Sequence, residues 1–154
     1  MPRHFMLYWK PATVEHHLAC DFLLRNAGSS QLARVDLGDT LWIVTTAEGD
    51  LLGLAGRLRV GAVVTLAEAR RRLGTDDLWP SPFHALARPG SAEPMRGISL
   101  EDIAADLKFT GSAIDCLTVA RDGSVNPIEL KTMLELSPDS AALLERVWLR
   151  NSTL

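Results

Sequence analysis

The side chains that could do chemistry in this chain are few and scattered. His16 and His17 are adjacent, so on a helix they point in different directions and cannot hold one ion as histidines four apart would. No HExxH string or cysteine pair occurs, and neither Cys20 nor Cys116 stands at a metal-ligand spacing. His4 and His84 are isolated. Asp76-Asp77 offers paired carboxylates, but in a loop such a pair reads equally as a solvated helix cap. No nucleophile-elbow or phosphate-loop string is present. These residues assemble no catalytic constellation, and neither a metal nor a cofactor is expected.

The elements that must position them are read from periodicity and turn chemistry. Residues Val35 to Val60 form the clearest unit. Thr40 to Thr46 is rich in β-branched and aromatic residues, Ala47-Glu-Gly-Asp50 supplies a turn, and Leu51 to Val60 continues as a second apolar strand, the middle of a small β-barrel. Phe5 to Trp9 reads as a first strand that Pro11 stops. From Thr13 the spacing of Val14, Leu18 and Phe22 predicts a helix, ended by Asn26-Ala27-Gly28, that covers one barrel mouth. Thr65-Leu-Ala-Glu68 has capping-box spacing, so a short helix spans Leu66 to Leu73 with Gly74 ending it.

The stretch from Thr75 to Pro94, with four prolines and Trp79, Phe83 and His84 among them, predicts a long loop of the functional kind. Ser99 predicts a cap for a short helix through Asp102, and Asp115 to Ala120 a strand. Asn126-Pro127 and Ser137-Pro138 predict helices near Ile128 to Glu135 and Asp139 to Arg150.

Charge narrows the function classes. The net charge of −3 is not that of a protein gripping long duplexes through phosphates. Residues 1–98 hold 11 Lys+Arg against 10 Asp+Glu, and residues 99–154 hold 5 against 9, so a nucleic-acid face belongs in the first two-thirds. Arg57 and Arg59, on one side of a strand, could form a local basic patch; Arg70 to Arg72 read first as a solvated helix end. The length suits a single domain over 1–154. No apolar run approaches the roughly 18 residues of a membrane span, and MPRHFMLYWK is too short in its apolar part for a secretory signal. A cytoplasmic location without membrane contact is expected.

In order along the chain, four motifs resemble the EVE family of the PUA-like superfamily, whose relatives include the YTH and ASCH domains. Tyr8-Trp9-Lys10-Pro11 is similar to the family's opening strand and turn, without its acidic residue. Ser29-Ser30-Gln31-Leu32-Ala33-Arg34 ahead of Gly38-Asp39 is similar to its asparagine-tyrosine-glutamine-alanine-arginine string, of which Gln31 and Arg34 are kept. Arg96 to Ile103 and Val119 to Pro127 resemble its later segments. The resemblance implies an α+β fold, a PUA-like or EVE-like small mixed β-barrel with flanking helices. It also implies binding of a modified or flipped nucleobase at the barrel mouth.

A base reader must unstack its base at a cost of a few kcal/mol. Stacking on an aromatic returns roughly 1–3 kcal/mol per base, so two or three aromatics are needed. Prompted by the resemblance, Trp9, Trp42 and Trp79 are the candidate cage, with Trp9 and Trp42 sharing the mouth and Trp79 in a loop folding over it. Ser30, Gln31 and Thr45 would supply discriminating hydrogen bonds and Lys10 would sit beside the phosphate. A tryptophan inside Leu-Trp-Ile-Val is more often core than platform, and Trp148 reads as structural. The expected partner is DNA or RNA carrying a modified base, with action through a protein partner or self-assembly. The competing expectation is a small hydrolase of a modified nucleoside using Asp77, His84 or Lys10, since relatives in the wider group have hydrolase activity. A protein-interaction module is the third.

Overall fold

The computed structural model describes residues 2–151; Met1 and residues 152–154 of the expected domain lie outside them. In chain order the elements are β1 (His4–Tyr8), α1 (Pro11–Cys20), β2 (Leu23–Leu24), β3 (Asn26–Gly28), β4 (Thr40–Ala47), β5 (Leu51–Thr65), α2 (Leu66–Leu73), β6 (Phe83–Ala87), β7 (Glu93–Pro94), β8 (Ile98–Ser99), β9 (Leu134–Glu135) and α3 (Pro138–Arg150). The fold is α+β, with three α-helices and a seven-stranded sheet among the described residues. The strand order is β3-β6-β5-β4-β1-β9, with β8 also paired to β5, while β2 and β7 form a separate pair. No pairing joins β3 to β9 among the described residues, and the strand pairings found do not by themselves close the sheet into the expected barrel. No described helix is long and apolar enough to cross a membrane.

The β4–β5 hairpin forms where β-branched residues and the Ala47-to-Asp50 turn predict it, but β5 runs on to Thr65. It pairs with β4 as far as Arg59 and with β6 from Val60 onward, with a register shift between Val60 and Ala62. The residue between them is Gly61, and a Cβ there would stand 2.6 Å from the Arg88 Cα, so the crossing strand needs glycine at that point. In α2, the Thr65 side chain accepts from the Glu68 amide and Gly74 closes the helix with φ of 67°. Arg71 and Arg72 at its end both pair with Glu68, the solvated-end reading of that basic run.

The central strands are apolar on both faces. Phe5 and Leu7 of β1 and Leu41 and Ile43 of β4 enter one cluster with Trp9, Leu24, Leu58 and Met133. Their neighbours Met6, Trp42 and Val44 enter a second cluster with Leu54, Leu100, Leu144 and Trp148. This period-two division is why Leu41-Trp-Ile-Val44 reads as a continuous apolar run.

Several sequence expectations give way to long-range pairing. The first helix stops at Cys20, because Leu23–Leu24 pair with β7 and Asn26–Gly28 pair with β6. Leu18 and Phe22 are accordingly exposed rather than on a buried stripe. The expected 75–94 loop contains β6 and β7, and Phe83–Ala87 is held by strands on both sides. Ser99 ends a strand, and its hydroxyl accepts from the Glu101 amide ahead of a 3-10 turn at Ala104–Asp106. Residues 115–120 make only isolated bridges, and the helix expected near Ile128 is a 3-10 turn, Pro127–Leu130, leading to β9. The helix expected over Asp139 to Arg150 is α3, capped by Ser137.

Candidate functional site

A cavity of about 1150 Å³ lies between the end of β1, the inner side of α1, the segment from Asn26 to Gln31 and the loop that follows α2. Ligand pockets typically occupy about 300–1,000 Å³, so it could take a nucleotide-sized group. Five residues chosen from sequence line it: Trp9, Lys10, Ser30, Gln31 and Trp79. They come from three separate segments, brought together by the parallel β1–β4 pairing, the 3-10 turn at Ser30–Arg34 and the loop before β6.

Trp9 follows β1 and its amide donates to the Val44 carbonyl at 2.9 Å, which fixes the backbone that carries the indole. The ring is 8% exposed and packs against the His17 imidazole, 5.5 Å between centroids. Trp79 is its opposite in exposure, at 53%. Its backbone is nevertheless pinned: the Trp79 carbonyl accepts from Ser81 N at 2.8 Å and from His84 Nε2 at 2.9 Å. His84 is fully buried, and its Nδ1 accepts from Asn26 Nδ2 at 3.3 Å, so both ring nitrogens serve the loop's anchorage. Burial pushes the His84 pKa below its ordinary value, against the opposing effect of the Trp79 carbonyl. Gly28 makes room for that ring, because a Cβ there would meet His84 Cε1 at 2.6 Å. His84 is therefore a structural anchor and not the polar actor considered from sequence.

Lys10 stands at the start of α1, where Pro11 occupies the first turn. Among the described residues the Lys10 and Lys131 side chains on the cavity wall have no ion-pair partner. Ser30 is exposed on the same wall. Gln31 lines the cavity too, but its amide is engaged: Nε2 donates to the Lys131 carbonyl at 3.1 Å and Oε1 accepts from Met133 N at 2.6 Å. It ties the turn to the segment before β9, leaving one amide hydrogen and one lone pair uncommitted.

Trp42 and Thr45 are not part of this wall. Trp42 pairs in register with Met6 and faces the other cluster, edge-on to Trp148 at 6.3 Å, with its indole N–H donated to His4 Nδ1 at 3.0 Å. The mouth shared by Trp9 and Trp42 does not form, because the two lie in clusters on opposite faces. Thr45 is half-buried with its Oγ1 unpartnered, close to Gly53. The Arg57–Arg59 patch does not form either, although the two share a strand face. Arg57 is buried between Trp42 and Trp148 and is paired with Glu93 and Glu145, whereas Arg59 is exposed.

One group on the wall was missed in the sequence. No residue of α1 is buried, because the stripe Thr13, His16, His17 and Cys20 turns toward the cavity instead of a core. His16 and Cys20, four apart, meet Asp77 from the loop: His16 Nε2 lies 3.2 Å from Asp77 Oδ1, Cys20 Sγ 3.0 Å from Asp77 Oδ2, and Sγ 3.9 Å from His16 Nε2. The hydrogen bond to Asp77 raises the Cys20 thiol, and the same bond, with that from His16, lowers the Asp77 carboxyl. The i,i+4 spacing of His16 and Cys20 was the available signal; the third member is 57 residues away.

The chain matches no family model and no curated protein.

Proposed function

We propose that this protein binds a nucleobase, carried by DNA or RNA and bearing a modification, in the cavity between β1, α1 and the loop that ends at Trp79. The observation that carries the reading is the convergence of Trp9, Lys10, Ser30, Gln31 and Trp79 on one cavity of adequate size. Trp79 presents an exposed ring on a pinned backbone, a stacking platform that costs little ordering on binding. Lys10 and Lys131 supply positive charge for a phosphate without making the whole molecule basic. Ser30 and the free half of the Gln31 amide offer donor and acceptor capacity to a base edge.

The PUA-like, EVE-like relationship belongs to this proposal. What supports it is the order of the motifs and the central β4–β5 hairpin beside a strand ending in Tyr8-Trp9. A small hydrolase acting on a modified nucleoside is the second reading; Asp77 and Lys10 remain on the cavity wall for it, and His84 does not.

Tryptophan fluorescence titration with short single- and double-stranded oligonucleotides, with and without cytosine or adenine modifications, tests the reading. Saturable quenching that depends on the modification and is lost in Trp79→Ala is the expected result. No response to any oligonucleotide, with the fold intact by circular dichroism, overturns it.

A further inference from the structure

We propose that His16, Cys20 and Asp77 form a binding site for a zinc-like divalent cation on the wall of the cavity, with an open coordination position facing it. The proposal stands independently of base binding. The three side chains offer an imidazole nitrogen, a thiol sulfur and a carboxylate oxygen, the donor types that a borderline-soft dication prefers, and all three donor atoms lie within 4.8 Å of one another.

Their spacing is close to that of a coordination polyhedron. With Zn–S about 2.3 Å and Zn–N or Zn–O about 2.0–2.1 Å, ligand atoms on a tetrahedron stand roughly 3.3–3.6 Å apart. Cys20 Sγ stands 3.0 Å from Asp77 Oδ2, His16 Nε2 stands 3.2 Å from Asp77 Oδ1, and Sγ and Nε2 are 3.9 Å apart, so the carboxylate meets the two ligands through different oxygens. With a single Asp77 oxygen as the ligand all three donors still lie within 4.8 Å, and a small rotation of the carboxylate brings them to an ion. Two ligands come from successive turns of one helix and the third from a loop held by His84, so the set is positioned by two independent anchors. A set of three protein ligands leaves a fourth position for solvent or a ligand, as in catalytic rather than structural zinc sites. Here that position is beside the cavity, where the ion could take an oxygen of a bound molecule.

Binding exchanges protons for the metal. The Cys20 thiol releases its proton to solvent and coordinates as thiolate, His16 coordinates through Nε2 with its proton on Nδ1, and Asp77 exchanges its hydrogen bonds for the ion. Apparent affinity should therefore rise with pH.

The test uses the reduced full-length protein with Zn²⁺ or Co²⁺ alone. One equivalent of Zn²⁺ is expected to bind by calorimetry, and Co²⁺ is expected to give a thiolate-to-cobalt charge-transfer band that Zn²⁺ displaces. Loss of a residue that merely orients a ligand weakens metal binding about 10–100-fold, so removing a ligand should weaken it at least about tenfold. Cys20→Ser should abolish the band, and His16→Ala and Asp77→Asn should each weaken Zn²⁺ binding by that factor, while Cys116→Ser keeps both signals. All three sites are exposed, so the variants should fold, with circular dichroism as the check. Absence of the band, its loss in Cys116→Ser, or Zn²⁺ binding unchanged in His16→Ala and Asp77→Asn overturns the proposal.

Discussion

Arg57 and Glu93 meet through two parallel hydrogen bonds, Nε to Oε1 at 2.8 Å and Nη2 to Oε2 at 3.0 Å. The Arg57 Nη1 also donates to Glu145 Oε2 at 2.6 Å, and Glu93 Oε2 accepts from the Trp148 indole at 3.1 Å. One guanidinium thus joins β5, β7 and α3, with Trp42 and Trp148 against it. Burial pushes the Glu93 pKa up, but the Arg57 and Trp148 hydrogen bonds outweigh that and hold it below its ordinary value.

Removing Glu93 leaves the buried Arg57 with Glu145 as its one carboxylate and the Trp148 indole N–H without its acceptor. Glu93→Ala should cost about 2–4 kcal/mol of unfolding free energy in urea titrations. The double variant Arg57→Met, Glu93→Met should cost less than Glu93→Ala, because the buried guanidinium is then gone and Glu145, whose side chain is 27% exposed, can turn to solvent. A double variant no better than Glu93→Ala would show that the pair is not the source of the loss.

The tryptophans divide by role. Trp42→Ala and Trp148→Ala, each fully buried, should destabilise by about 3–5 kcal/mol. Trp79→Ala should change stability by no more than about 0.5 kcal/mol, its ring being largely in solvent. Denaturant midpoints of the three variants check this, and a large loss in Trp79→Ala would mean that its ring holds the loop.

Acid should weaken the fold in two stages. Burial lowers the pKa values of both His4 and His84 from their ordinary 6.5. Below pH 6.5 the unfolded chain therefore takes up protons before the native one does. The histidine contribution is complete above that pH and is lost as pH falls through the native values. The lowered carboxyl of Glu93 adds a second loss only below its ordinary 4.5. Urea midpoints at pH 7.5 and 5.5 should differ, the lower pH being less stable; equal midpoints would sink the histidine contribution.

Thr45 and Thr46 should respond oppositely to loss of their hydroxyls. Thr45 Oγ1 is buried without a partner, whereas Thr46 Oγ1 lies 3.1 Å from the Tyr8 hydroxyl. Thr45→Val should leave stability unchanged or raise it by about 1 kcal/mol, and Thr46→Val should lower it by about 1 kcal/mol. Thermal melts of the two variants give the comparison.

What was legible in the sequence is what local chemistry determines. The β4–β5 turn, the Thr65 cap with Gly74, and the Ser137-Pro138 start of α3 each carry their signal within a few residues. The helix that stops at Cys20 and the strand at Phe83 were not legible, because partners far along the chain claim Leu23–Leu24 and Phe83–Ala87. The site divides in the same way. Trp9 and Trp79 reach the cavity, but the face on which Trp42 falls depends on its register with β1, and the meeting of Cys20 with Asp77 depends on the path of a loop. The pair that stands four apart is a histidine and a cysteine, not two histidines.

The two-sided burial of the central sheet leaves its alignment without the usual safeguard. Where one face is wet, a slip of one residue throws apolar side chains into water; in β4, where Leu41 and Ile43 serve one cluster and Trp42 and Val44 the other, a slip would merely exchange them. The guanidinium of Arg57 breaks that near-symmetry. Shifted by one position it would enter the side occupied by Leu24, Leu58 and Met133, away from Glu93 and Glu145, so a buried charge penalises the slipped threading that apolar burial alone would tolerate.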